Sequence, residues 1–189
     1  QYPQLQPFIE TKLTQTFHFP FKQGDEVLDV EILKGFKNIS IVKILQAKEI
    51  LSSLQLPVTS SHGDLHINNI LKLQNEFKII DWSMYSVKGS FVTDYIHFHN
   101  YNLCSPKKES WTSTINFDHI WLLHLAERLN TTPQHLRLAY AISRISGELV
   151  QKSINDTVYQ KVGIKYNNIL NSILHDFEHS KIQHRNSFI

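Results

Sequence analysis

The segment from Ser60 to Trp82 reads SSHGDLHINNILKLQNEFKIIDW and says most about the fold. After His62-Gly63-Asp64, two short apolar runs of β-strand character follow, Asn69 to Leu73 and Phe77 to Asp81. The polar residues Gln74-Asn75-Glu76 separate them and indicate a turn. The pattern therefore predicts a small antiparallel β-hairpin near the middle of the chain.

Polar side chains with oxygen atoms stand at the ends of this hairpin. Asn69 begins one strand and Asp81 ends its partner, so we expect both at the same end, with Asp64 on the loop that leads in. Carboxylate and carboxamide oxygens are the ligands that a hard cation such as Mg²⁺ prefers. The segment therefore predicts a magnesium site.

The motif HGDLHxxNIL at residues 62–71, followed by IIDW at residues 79–82, resembles the aminoglycoside phosphotransferase and choline kinase family, small-molecule relatives of the protein kinases. The resemblance implies an α+β, mostly helical fold, the C-terminal lobe of a protein kinase-like enzyme. It also implies that Asp64 is the catalytic base for a substrate hydroxyl, and that Asn69 and Asp81 bind Mg²⁺ and, through it, ATP.

Two supporting residues follow from the same resemblance. His62 corresponds to a buried structural histidine beneath the metal-binding loop, and Asp94 to an aspartate that braces the catalytic loop. Tyr95 stands where relatives carry an aliphatic residue, and Ser83 stands where many carry an acidic one. These departures leave the substrate contacts near the site open.

The kinase lobe that clamps the nucleotide is not apparent. Only 61 residues precede His62, and they are accounted for by helices and a turn-rich connector from Phe19 to Asp25. The closest two of the six glycines are eleven residues apart, so no glycine-rich phosphate loop can be written. We expect residues 1–189 to form one domain that lacks the N-terminal lobe and that self-associates through the surface the lobe would cover.

Helical spacing of apolar residues dominates the rest of the chain. It predicts helices at residues 4–17, from Ile39 to Pro57, at residues 91–103, around residues 122–129 and from Thr132 onward. The stripe of the second helix comprises Ile41, Ile44, Leu45, Ala47, Leu51 and Leu54, and that of a last helix Val158, Val162, Tyr166, Ile169, Ile173 and Phe177. The hairpin is then the only sheet expected.

Composition restricts the class of protein and its partners. A net charge of +2 gives little support to nucleic-acid binding, and no apolar run reaches the roughly 18 residues of a membrane span. The single cysteine, Cys104, cannot form an internal disulfide, which fits a reduced, cytoplasmic setting. It has no recognisable catalytic partners.

Eleven histidines raise the question of a zinc site. His97 and His99 lie two residues apart in a segment that reads as helical, where this spacing directs side chains away from each other. We therefore expect no shared metal ligation by these two histidines, and we expect His66 to be a packing residue of the catalytic loop.

The acceptor of the phosphoryl group is suggested only by composition. Trp82, Tyr85, Tyr101, Trp111 and Trp121 could cage a quaternary ammonium or could pack in the core. From Tyr101 onward ten Lys and Arg residues face seven Asp and Glu residues, which disfavours a polycationic aminoglycoside.

We therefore expect an ATP- and Mg²⁺-dependent kinase lobe acting on a sugar, amino-alcohol or choline-like hydroxyl. The alternatives are a non-catalytic binding module derived from such a lobe and an unrelated metal-dependent hydrolase.

Overall fold

The structure, a computed structural model, describes residues 4–74, 76–116, 118–151 and 156–186. It begins with helix α1 (Leu5–Thr16), strand β1 (Phe21–Gln23), the short helix α2 (Gly24–Val27) and a 3₁₀ helix (Val30–Gly35). Helix α3 (Ile41–Ser52) follows, starting after Ser40, whose hydroxyl accepts a hydrogen bond from the Lys43 N–H. Strands β2 (Gln55–Pro57) and β3 (Thr59–Ser61) then lead to the loop that contains His62, Gly63 and Asp64.

The predicted hairpin is confirmed. A 3₁₀ turn (Ile67–Asn69) precedes β4 (Ile70–Leu73), which pairs antiparallel with β5 (Glu76–Ile79) in the register Ile70 to Ile79. The strands are slightly shorter than predicted, so Asn69 and Asp81 lie just outside them, and Asn75 of the predicted turn is outside the described residues.

Six strands form three separate two-stranded sheets in the described residues, so the expectation of a single sheet is wrong. Besides β4 and β5, β1 pairs with β2, and β3 pairs with β6 (Ser86–Gly89), all antiparallel. These strands have three or four residues each, too few for an alternating pattern to be visible in the sequence.

The described residues after β6 are mostly helical, as predicted. Helix α4 (Phe91–Cys104) is followed by a 3₁₀ turn (Ser105–Lys107), by α5 (Trp111–Thr114) and by α6 (Ile120–Arg128). Helix α7 (Pro133–Gln151) begins after Thr132, whose hydroxyl accepts from the His135 N–H, and α8 (Asp156–Asn186) completes the described chain. The side chain of Val158, assigned to the apolar stripe of this last helix, is outside the described residues.

The core lies where these helices meet. Helix α4 packs against α1, α5 and α7, and α7 packs against α3, α6 and α8. The largest fully buried side chains include Leu13, Leu51, Ile96, Tyr140 and Tyr166. None of the helices in the described part of the chain has the length and apolar character needed to cross a lipid bilayer.

One predicted stripe differs from the structure. On α3 the buried face is formed by Ile44, Ala47, Ile50 and Leu51, whereas Ile41 and Leu45 are more than half exposed. Helix α3 has apolar residues on two faces, and only one of them contacts the core.

Candidate active site

The buried carboxylate of Asp94 holds the loop that contains Asp64. Asp94, on the first turn of α4, accepts hydrogen bonds from the backbone N–H of His62 at 2.7 Å and of Gly63 at 2.8 Å. Burial raises the pKa of the Asp94 carboxyl to about 7, while the two backbone donors favour its charged form. Asp94 therefore lies where a residue bracing this loop must lie.

Gly63 allows the sharp turn that follows. Its φ of 82° is in the left-handed region, and a Cβ at this position would lie 2.4 Å from the carbonyl oxygen of Met84. Any side chain here would collide with backbone, so the approach of the loop to the segment after β5 depends on glycine.

His62 ties the same loop to the end of the hairpin. The ring is buried, its Nε2 lies 2.8 Å from the carbonyl oxygen of Ile80, and its Nδ1 accepts from the Asp64 N–H at 3.3 Å. A carbonyl only accepts, so Nε2 carries the proton and the imidazole is neutral with both nitrogens in use. The structure thus places His62 in a supporting position.

Asn69 and Asp81 lie at the same end of the hairpin. The Asn69 carbonyl accepts from the Ile80 N–H at 2.9 Å, and the Asn69 Nδ2 donates to the carbonyl of Asp64 at 2.9 Å. The second contact leaves Oδ1 as the carboxamide's acceptor atom for a ligand. Asp81 is exposed, with a φ of 58° in the left-handed region, a strained conformation that is frequent at functional sites.

The described residues contain no group of three or more His, Cys, Asp or Glu side chains that could hold a metal ion. A magnesium site of one carboxylate and one carboxamide is of a different type, since Mg²⁺ is commonly bound by one or two carboxylates together with substrate phosphates. The oxygen donors of Asn69 and Asp81 fit such a site.

The Asp64 carboxylate is the most heavily contacted group of the site. Its Oδ1 lies 3.1 Å from Nε2 of His97 and accepts from Nη1 of Arg144 at 2.9 Å, while its Oδ2 lies 3.4 Å from Nε2 of His66. Burial acts to raise the pKa of this carboxyl, but the hydrogen bonds from His66 and His97 and the charge of Arg144 outweigh burial and hold the pKa well below its usual range. Asp64 is therefore ionised at neutral pH.

Arg144 is a member of the site that sequence reasoning missed. This buried residue of α7 donates through Nη1 to the Gly63 carbonyl at 2.6 Å as well as to Asp64, and its Nη2 lies 3.6 Å from Glu148. Glu148 accepts in addition from Trp111 Nε1 and from the Tyr166 hydroxyl. A pair of opposite charges four residues apart on one helix is the one signal in the sequence that could have indicated it.

Asp64 borders an open cavity of about 430 Å³ between the loop, α4 and α7. His66 and Tyr101 form one wall, with rings stacked at 4.2 Å and 14°. The other lining residues are mostly polar: His97, Cys104, Ser105, Lys108, Glu109, Ser110, Trp111, Arg144, Glu148 and Lys165. The cavity could hold a small polar molecule beside the carboxylate.

The two histidines considered for zinc lie apart. His97 is buried between Asp64 and Tyr140, whereas the His99 ring stacks on Trp121 at 4.9 Å, on the side of α4 that faces α6. Cys104 is buried, and burial raises the pKa of its thiol, which disfavours the reactive thiolate.

Comparison of the chain with protein-family models, with curated proteins and with solved structures found no match.

Proposed function

We propose that this chain is the C-terminal, helical lobe of a phosphotransferase that uses ATP and Mg²⁺ to phosphorylate a hydroxyl group of a small molecule. One observation carries the proposal. An ionised aspartate on a braced loop borders a polar cavity, beside a hairpin end that bears the carboxamide of Asn69 and the carboxylate of Asp81. The motifs of residues 62–71 and 79–82 support it.

In this proposal Asp64 orients the acceptor hydroxyl and takes its proton as the phosphoryl group is transferred. A base that is already ionised and fixed by three neighbours needs no rearrangement to do so, and positioning accounts for much of the rate of such reactions. Asn69 and Asp81 would hold Mg²⁺, which neutralises charge on the transferring phosphates when bound.

The nucleotide would be clamped largely by residues outside this chain. In residues 4–58 as described, the strands are β1 and β2, which pair with each other through three residues each. Such a ribbon differs from the five-stranded lobe that covers ATP in kinases.

The structure favours a polar acceptor over a choline-like one. Of the five aromatic residues considered for a cage, Tyr101 and Trp111 line the cavity, and Trp111 is buried with its Nε1 bound to Glu148. Trp121 packs on His99, and Trp82 packs on His62. With hydroxyl, ammonium and carboxylate groups on its walls, the cavity suits a sugar or an amino-alcohol.

The test is ADP release by the full-length protein in the presence of Mg²⁺, ATP and a panel of sugars, amino-alcohols and choline. Asp64→Asn should lower kcat by several orders of magnitude and leave nucleotide affinity nearly unchanged, since the base acts mainly in the transition state. Asp81→Ala should abolish Mg²⁺-dependent nucleotide binding. The exposed Asp29 provides the control, Asp29→Asn, which should behave as the parent protein.

Near-parental turnover in both Asp64→Asn and Asp81→Ala would refute the assignment of the site. Acceptor binding without ADP release from any compound would instead favour a binding module derived from a kinase lobe.

A further inference from the structure

His97 belongs to a chain of buried polar groups that ends at Asp64. His97 is 3% exposed, and its imidazole lies between two partners, the Asp64 Oδ1 at 3.1 Å and the Tyr140 hydroxyl at 2.8 Å. Tyr140 is in turn contacted by the Asn100 Nδ2 at 3.3 Å, and the Asn100 Oδ1 accepts from the Thr114 hydroxyl at 2.6 Å. These hydrogen bonds thus connect α4, α5 and α7 on the buried side of the Asp64 carboxylate.

The contacts determine which ring nitrogen carries the proton. An ionised carboxylate can only accept, so Nε2 must donate to Asp64. The Tyr140 hydroxyl accepts from Asn100 and donates to Nδ1 of His97. Both partners of the His97 ring, Asp64 and Tyr140, therefore require the same neutral tautomer. In agreement with the geometry, burial and the charge of Arg144 lower the pKa of His97 to about 4.

The two oxygens of Asp64 are held unequally. Oδ1 has two close donors, His97 Nε2 at 3.1 Å and Arg144 Nη1 at 2.9 Å, which come from different helices. Oδ2 has the longer 3.4 Å contact with His66, on the wall of the cavity. With Oδ1 engaged, Oδ2 is the oxygen with capacity left for a further hydrogen bond.

We propose that His97 is a positioning residue for Asp64, which fixes Oδ1 so that Oδ2 is presented to the acceptor hydroxyl in the cavity. This inference rests on the proposed function. His97 itself does not touch the acceptor. Displacement of a catalytic base by about 1 Å can lower the rate about 100-fold. The loss of His97 should therefore lower kcat.

The kinetic test compares two histidines of one helix in the full-length protein. His97→Phe keeps a ring but removes the donor, and we expect kcat to fall about 10- to 100-fold with little change in the KM of the acceptor. His97→Gln retains an N–H donor near the position of Nε2 and should recover most of the activity. His99→Phe is the matched control, because His99 packs on Trp121 outside the cavity, and its kcat should stay within about twofold of the parent.

A second measurement does not depend on catalysis or on the folding of a His97 variant. Long-range ¹H–¹⁵N NMR of the parent protein should show the His97 ring protonated at Nε2. The signal of this proton should move upfield in Asp64→Ala, because the carboxylate that accepts it is gone.

The outcomes separate this inference from the function on which it rests. Protonation at Nδ1, a signal unaffected by Asp64→Ala, or parental kcat in His97→Phe would overturn the positioning role while leaving the kinase proposal intact. Equal losses in His97→Phe and His97→Gln would also overturn it. Absence of turnover in the parent protein with every acceptor would overturn the proposed function, and the positioning role of His97 with it, even if the NMR contact is found.

Discussion

Asp94 binds the backbone of Gly63 across 31 residues of sequence, with its Oδ1 accepting from the Gly63 N–H at 2.8 Å. This contact joins the first turn of α4 to the loop position at which the Met84 carbonyl oxygen, together with a left-handed φ, excludes a side chain. The conformation of the Asp64 loop is therefore set by tertiary structure as well as by its own sequence.

Replacing Asp94 by Asn should destabilise the protein. The carboxamide would turn an NH₂ group toward one of two backbone N–H donors, and a buried donor left without an acceptor costs about 1–3 kcal/mol. Urea denaturation should show this loss in the free energy of unfolding, with Asp29→Asn as the exposed control. An unfolding midpoint equal to that of the parent would contradict the bracing role.

Replacing Gly63 by Ala should cost about 2 kcal/mol or more, because the new Cβ would meet the backbone oxygen of Met84 at a positive φ. Gly147→Ala is a close control, since its Cβ would meet the terminal methyl of the same Met84, which can move, and it lies within α7. We expect Gly147→Ala to change the unfolding free energy by less than about 1 kcal/mol. Thermal denaturation that ranks the two variants in the opposite order would show that the Gly63 turn is not strained.

Stability should fall as the pH is lowered from 6.5 to 4. Burial lowers the pKa of His99 to about 4 despite the opposing charge of Glu10, and His97 shifts in the same direction. At His97 and His99 the unfolded chain binds more protons than the folded one between these pH values, so each histidine removes up to about 1.4 kcal/mol per pH unit, whereas the raised pKa of the buried Asp94 acts in the opposite direction and offsets one of the two. In His99→Phe the free energy of unfolding should depend less steeply on pH. Urea titrations at several pH values that give parallel slopes for parent and variant would disprove this.

The polypeptide of these 189 residues, taken alone, should bind ATP weakly and transfer no phosphoryl group, even with Mg²⁺ and a correct acceptor. The reason is that the phosphate-covering loop and its lysine are expected outside it. The exposed apolar residues Ile41, Val42 and Leu45 of α3 should favour self-association of this polypeptide. Calorimetry with ATP and Mg²⁺ measures the binding, and a submicromolar dissociation constant would mean that residues within this chain replace the nucleotide lobe.

Local pattern was enough to predict the hairpin and most helices, because each of these has its own apolar periodicity. The pairing of β1 with β2 and of β3 with β6 was not predictable, because these strands have only three or four residues each. Strand β3 (Thr59–Ser61) is also polar and is stable only through its distant partner. Asp64, Asn69 and Asp81 were indicated by motif and spacing, and Asp94 only by the resemblance to a kinase family.

The surroundings of Asp64 could not be predicted in the same way. His97 and Arg144 lie 33 and 80 residues from Asp64 in sequence, and their contacts with it depend on how α4 and α7 pack. A buried histidine and a buried arginine look the same in sequence whether they bind each other, a ligand or a catalytic carboxylate.

The contact between Asp64 and Arg144 also affects the order of folding. The β4–β5 hairpin closes within a few residues and can form soon after synthesis, whereas Arg144 follows 80 residues after Asp64. As the chain leaves the ribosome, the Asp64 carboxylate therefore lacks its contact with Arg144 until α7 has been made and has packed against the loop. A ligand of this cavity then recognises only chains folded through α7, and its binding would stabilise the molecule well beyond the loop that it touches.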